Sequence, residues 1–285
     1  MKRGINLTTA KNRRKWFLGF TLMIVGLGVS DAFALDPMGP PTAELKQGQF
    51  KIGIDYSYST MDLELSEGTW IEHLDGVFYD SGEAVSFALK DFKVSKGYAN
   101  LGYGIADNCE AFLRMGGANA KFGDSIWEDD EELDSDTDFA IGSCIKATFY
   151  EEDNLKLGGL FQANWAEYDG KLQAAHWAAP DLVKIDMTEV QIAVGATYMW
   201  TDLVSIYGGP FLHFIHGDLE DIYSEVDVGG GSLLTSKYTW DVSEDSIFGG
   251  YIGARLELVE ECSLSVELQH TATAYAFGAS LIWRF

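Results

Sequence analysis

Between residues 155 and 165 the chain alternates strictly. Leu155, Leu157, Gly159, Phe161, Ala163 and Trp165 fall on one face, and Lys156, Gly158, Leu160, Gln162 and Asn164 on the other. A period of two is the mark of a β-strand with one apolar face. The same period groups Ile52 with Ile54, Tyr56 and Tyr58, then Leu101 with Tyr103 and Ile105, then Ala111 with Leu113 and Met115. It continues through Ile141, Ile145 and Phe149, through Val190, Ile192, Val194 and Tyr198, and through Val204, Ile206, Leu212 and Phe214. Phe248, Ile252 and Leu256 follow, then Leu264, Val266 and Leu268. A last run from Tyr275 through Phe277, Leu281 and Trp283 keeps the alternation up to Phe285. The pattern predicts ten strands.

The breaks between these runs alternate in length. Short ones fall at Ala106 to Asn108, Glu151 to Asn154, Thr201-Asp202 and Val259 to Cys262; long ones fall near 65 to 87, 119 to 137, 168 to 184 and 217 to 245, and a fifth connection on the long rim, near Thr273, is short. Tight turns on one rim and long connections on the other predict an all-β, transmembrane, antiparallel up-and-down barrel. A soluble sandwich alternates too, but its outer face would be charged. Here the positions opposite the apolar face carry glycines (Gly53, Gly102, Gly158, Gly195, Gly209, Gly253), which suit a crowded interior. Aromatics at strand ends, such as Phe149, Trp165, Trp200 and Trp283, suit an interfacial girdle. Pro210 lies mid-strand and predicts a bulge or bend between Gly208 and Phe211.

The N-terminus adds a compartment. Lys2, Arg3, Lys11, Arg13, Arg14 and Lys15 precede an apolar run from Trp16 to Val29 and the small-residue site Ala32-Phe33-Ala34. That reads as a secretory signal peptide over 1–34, too short in its apolar part for a membrane anchor. Residues 35–48, with three of the five prolines, read as a periplasmic linker, and 49–285 as the barrel. Six of the 20 basic and one of the 44 acidic residues leave with the signal, and the remaining 14 basic against 43 acidic give a net charge of −29. Nucleic acid is an unfavourable partner for that charge. Cys109, Cys144 and Cys262 have no paired spacing and read as free thiols, with no metal site or cofactor indicated.

An export signal, strands with alternating short and long connections, and a terminal strand closing on "LIWRF" together resemble the bacterial outer-membrane β-barrel proteins of opacity-protein and porin-like architecture. The resemblance implies an outer-membrane location among lipid and lipopolysaccharide. It also implies that the C-terminal aromatics Trp283 and Phe285 are an assembly signal read by the barrel assembly machinery.

With the faces assigned, Glu110, Arg114, Lys146, Lys156, Arg255, Glu257, Glu267 and Arg284 point into the lumen, where charges must pair or stay wet. They predict an ion-pair network, read either as a plug that makes the barrel a structural surface protein or as the lining of a small porin-like pore. The acidic stretch 128 to 138 places Asp134, Asp136 and Asp138 like the opening of a calcium loop, but Phe139 stands where such a loop needs glycine. A further alternative rests on a likeness to omptins, outer-membrane proteases that set Asp and Asp/His pairs across the barrel rim. Asp136 and Asp138 top one strand and His216 and Asp218 another, with His and Asp in the reverse of the family's order. The expectation is a barrel that is not an enzyme.

Overall fold

The computed structural model describes residues 35–122, 133–172, 181–227, 229 and 231–285. The expected signal peptide and residues 128–132 of the acidic stretch lie outside them. Among the described residues ten strands close a ring: β1 (Phe50–Leu74), β3 (Phe87–Ala106), β4 (Cys109–Phe122), β6 (Asp138–Glu152), β7 (Leu155–Leu172), β8 (Asp181–Thr201), β9 (Val204–Asp227), β11 (Phe248–Val259), β12 (Cys262–Thr271) and β13 (Ala274–Arg284). All neighbours are antiparallel, and β1 closes the ring between β3 and β13. Phe50 N–H donates to Phe285 O at 2.9 Å and Phe285 N–H to Phe50 O at 3.0 Å, so the terminal residue is itself part of the seam.

Three further strands are β2 (Val77–Glu83), β5 (Leu133–Asp134) and β10 (Leu233–Glu244). Much of what reads as long loops in the sequence is strand, since β1 runs on to Leu74, β8 begins at Asp181 and β9 reaches Asp227. β10 changes the strand number. The lower half of β1 pairs with β13 (Lys51 to Met61) and its upper half with β10 (Leu63 to Leu74). β9 likewise pairs with β11 up to Leu212 and with β10 from Gly217. Toward the end remote from the tight turns, one strand therefore takes the place of β11, β12 and β13, and the ring narrows from ten strands to eight.

The two levels have opposite polarity. Near the turns the outer face is apolar: Ile54, Leu101, Leu113, Ile192 and Leu268 are exposed, and Lys51, Asp55, Glu110, Gln162 and Gln191 are buried inside. Above them the alternation persists but inverts. In β8, Val183, Ile185 and Met187 are buried while Lys184 and Asp186 face outward; in β7, Ala166 and Tyr168 are buried while Glu167 and Asp169 face outward. These inward residues join Met61, Leu63, Leu65, Leu89, Phe92, Phe122, Leu219 and Val242 in one packed cluster. The outer face there is laced by charge. Lys184 pairs with Glu167 and lies 3.8 Å from Asp169, and Lys237 pairs with Glu220 at 2.7 Å. Partial burial raises the Asp186 carboxyl, Lys184 opposes that, and the charges of Glu167, Asp218 and Glu220 add to it.

The apolar outer band spans ~11 residues per strand, for instance Val190 to Trp200 in β8, which is what a tilted strand needs to cross a bilayer. Pro210 causes no bulge: the β8/β9 register is the same at Ala193↔Phe211 and Ala196↔Gly208, with only the rungs between them missing. Gly195 and Gly209 let the backbones close here, since a Cβ on Gly209 would lie 2.0 Å from Val194 O.

Candidate functional site: the occupied lumen

Residues 35–45, expected as part of a linker outside the barrel, are packed inside the ten-stranded ring. Leu35, Asp36, Met38, Thr42 and Leu45 are all at most 2% exposed. A proline-rich segment cannot build a β-ladder with the wall, so wall side chains satisfy its backbone instead. Glu267 accepts from Met38 N–H at 3.0 Å and Gly39 N–H at 2.9 Å, while Glu110 accepts from Glu44 N–H at 2.9 Å and Leu45 N–H at 3.0 Å. Thr148 Oγ1 accepts from Ala43 N–H at 3.0 Å. Gln269 and Arg114 donate to the carbonyls of Asp36 and Pro37 at 2.8 and 3.3 Å. Gly39 turns the chain at φ +67°, a conformation in which a Cβ would be strained.

The segment also brings acids into the lumen. Asp36 lies 3.2 Å from Lys96 Nζ and accepts from Ser57; Lys96 also bonds Glu189, whose other oxygen lies 3.5 Å from His213 Nε2. Glu44 pairs with Arg255. A row of amides crosses the interior between these groups: Arg114 donates to Gln162 at 3.0 Å, Gln162 to Gln191 at 2.7 Å, Gln191 to Gln269 at 3.0 Å and Gln269 to Glu267 at 2.7 Å. It links β4, β7, β8 and β12.

The eight charges expected to interlock do so only in part. Arg255, Glu257 and Arg284 form a chain, with Arg255 Nε 2.9 Å from Glu257 and Arg284 on the other oxygen. Glu110 pairs with Lys51 at 2.6 Å, a residue outside the expected set. Arg114 has Asp55 at 3.9 Å. Glu267 holds the inserted segment rather than a cation, and Lys146 faces the ring of Phe112. Lys156 is not in the network; it sits at the rim on Glu151, 2.8 Å away, with the Glu151 side chain 57% exposed. Lys51, Asp55, Lys96 and Glu189 share the inward parity of strands whose outward residues are legible in sequence, so strand parity alone was enough to find them. Asp36 and Glu44 lie on the inserted segment and carry no such signal.

The rim residues are not brought together. His216 and Asp218 stand on the outer face of β9, whereas Asp138 has the inward parity of β6 and accepts from Asp169 N–H at 2.8 Å. β7 and β8 intervene. Asp134 pairs instead with Lys121 at 3.1 Å. Cys109, Cys144 and Cys262 are free thiols.

No protein-family model and no curated protein sequence matches the chain. The solved structures it resembles over most of its length are bacterial outer-membrane β-barrels. They include the translocator domain of the autotransporter NalP from Neisseria meningitidis (11% identity, TM-score 0.42, 98% of each chain). The outer membrane protein OprG from Pseudomonas aeruginosa is another (12% identity, TM-score 0.44, 84% of this chain and 97% of that one). The outer membrane protease OmpT from Escherichia coli is a third (12% identity, TM-score 0.40, 82% and 97%).

Proposed function

We propose that this protein is a closed outer-membrane barrel with a structural, surface-exposed role, neither a channel nor a hydrolase. The observation that carries the reading is the double filling of its interior. Polar contacts hold residues 35–45 in the ten-stranded level, and the eight-stranded level above is packed with Leu63, Leu65, Leu89, Phe92, Ile185 and Met187, each at most 1% exposed. A solute would have to displace both, and the second is an apolar cluster of buried side chains. The apolar outer band supports a lipid environment, with lipopolysaccharide and the barrel assembly machinery as partners. The charged outer face of the narrower level supports its standing in water, ~20 Å along the strand from Leu182 to Thr188 at about 3.3 Å per residue.

Purified, refolded protein in a planar bilayer tests this reading. The expected record is silent. Stable single-channel steps from the wild type would restore the porin-like reading, and cleavage of basic peptides lost on Asp138→Asn or His216→Ala would restore the protease-like one.

A further inference from the structure

Lys146 is a buried lumen cation with no acid within 4.0 Å among the described residues, and it is 3% exposed. It crowds one aromatic ring together with two other cations. Lys51 Nζ lies 4.9 Å, Arg114 Cζ 5.2 Å and Lys146 Nζ 5.4 Å from the Phe112 centroid. A ring face attracts each of them only weakly compared with what desolvation and mutual repulsion cost three buried like charges.

The acids in reach are committed elsewhere. Glu110 bonds Lys51, Asp55 sits 3.9 Å from Arg114, and Glu44 pairs with Arg255 and reaches Lys51 only at 4.0 Å. Glu267, the next carboxylate, is turned to the amides of Met38 and Gly39 and to Gln269. Among the described residues, Lys51, Arg114, Lys146, Arg255 and Arg284 thus meet four carboxylates, Glu44, Asp55, Glu110 and Glu257. Arg114 Nε and Nη1 are moreover buried without a hydrogen-bond partner among the described residues.

Between these groups lies a cavity of about 20 Å³, lined by the cations Lys51, Arg114 and Lys146, by Asn100 and Phe112 and by the one carboxylate Asp55 on the wall, and by Pro37 to Pro40 on the inserted segment. That is room for one small occupant. The Gly39 turn keeps it open toward the ammonium, since a Cβ there would come within 3.1 Å of Lys146 Nζ. A water molecule would fill the space but leave the positive charge unbalanced. We infer that this cavity is a binding site for a small monovalent anion of halide size, held by Lys146 and Arg114 beneath the Gly39 turn.

The test uses the full-length protein folded in detergent micelles and unfolded by urea in sodium bromide or sodium gluconate at equal ionic strength. Gluconate is too large for the cavity. Bromide should raise the wild-type midpoint, because a ligand that binds only the folded state stabilises it. Lys146→Met should weaken the apparent bromide affinity by about tenfold or more, as loss of a buried charge partner implies. Lys156→Ala should leave it unchanged. Crystals grown with bromide should show an anomalous peak in the cavity. Equal midpoints in the two salts, or a bromide effect untouched by Lys146→Met, would overturn the inference and leave Glu267 to balance Lys146. If Lys146→Met does not fold, the wild-type anomalous map decides: a peak beside Lys146 and Arg114 supports the site, and none there overturns it.

Discussion

Lys96 and Lys156 each carry an ammonium on the inward parity of a strand, and their surroundings set them apart. Lys96 is held by Asp36 and Glu189 with all three side chains buried, whereas Lys156 meets a half-exposed Glu151 at the rim. Removing Lys96 leaves two buried carboxylates without the ammonium they share, so Lys96→Met should lower the unfolding free energy by about 3 to 5 kcal/mol. Lys156→Ala should cost less than about 1 kcal/mol, as exposed pairs do. Urea unfolding of the two variants side by side checks both, and equal losses would contradict the placement of Lys156 outside the network. Which residues face inward was legible from parity. Which of them pair was not, because the acids that complete the pairs of Lys96 and Arg255 come from residues 35–45. Three prolines and no alternation make that stretch look like a tether, and only the register of the whole ring shows a lumen whose donors and acceptors match its backbone.

In β8, Thr188 is where one rule of burial gives way to its opposite. Ile192 faces outward in the apolar band and Ile185 faces inward in the packed level above. Ile192→Arg should cost about 2 to 4 kcal/mol if it lies near the bilayer midplane. Ile185→Asp should cost at least as much, since it buries an unpaired carboxyl in an apolar cluster. Lys184→Ile, on the outer face beside Ile185, should change stability far less than Ile185→Asp. Urea midpoints in lipid vesicles measure all three, and a harmless Ile185→Asp would mean that this part of β8 is a loose connection. The strands within the apolar band were legible because their greasy face points one way throughout. Their continuations were missed because Val183, Ile185 and Met187 alternate out of phase with Val190, Ile192 and Val194, so a search for one outward apolar face stops at the membrane edge. β10 hid for the same reason: Tyr238, Trp240 and Val242 line an interior that the band below does not share.

Over the whole molecule, the seam between β1 and β13 ends on the paired backbones of Phe50 and Phe285. Deleting Phe285 removes the last rung and the terminal aromatic together, and the expected outcome is loss of heat-modifiable folded protein from the outer-membrane fraction. Normal amounts there would mean that Phe285 is dispensable for assembly. The narrowing from ten strands to eight has a kinetic consequence. Because β10 bridges β1 and β9, the chain up to Glu244 can complete a ring around the apolar cluster before β11, β12 and β13 exist as strands. The order expected from this topology is two closures, one after the other. The earlier, nearer the surface, draws only on the first ten elements, and the later one widens the base by inserting three short strands beside an already finished mouth. Pulse-labelled hydrogen exchange during refolding would read this order directly, with amides of β1 above Leu63 protected before those of β1 below Met61.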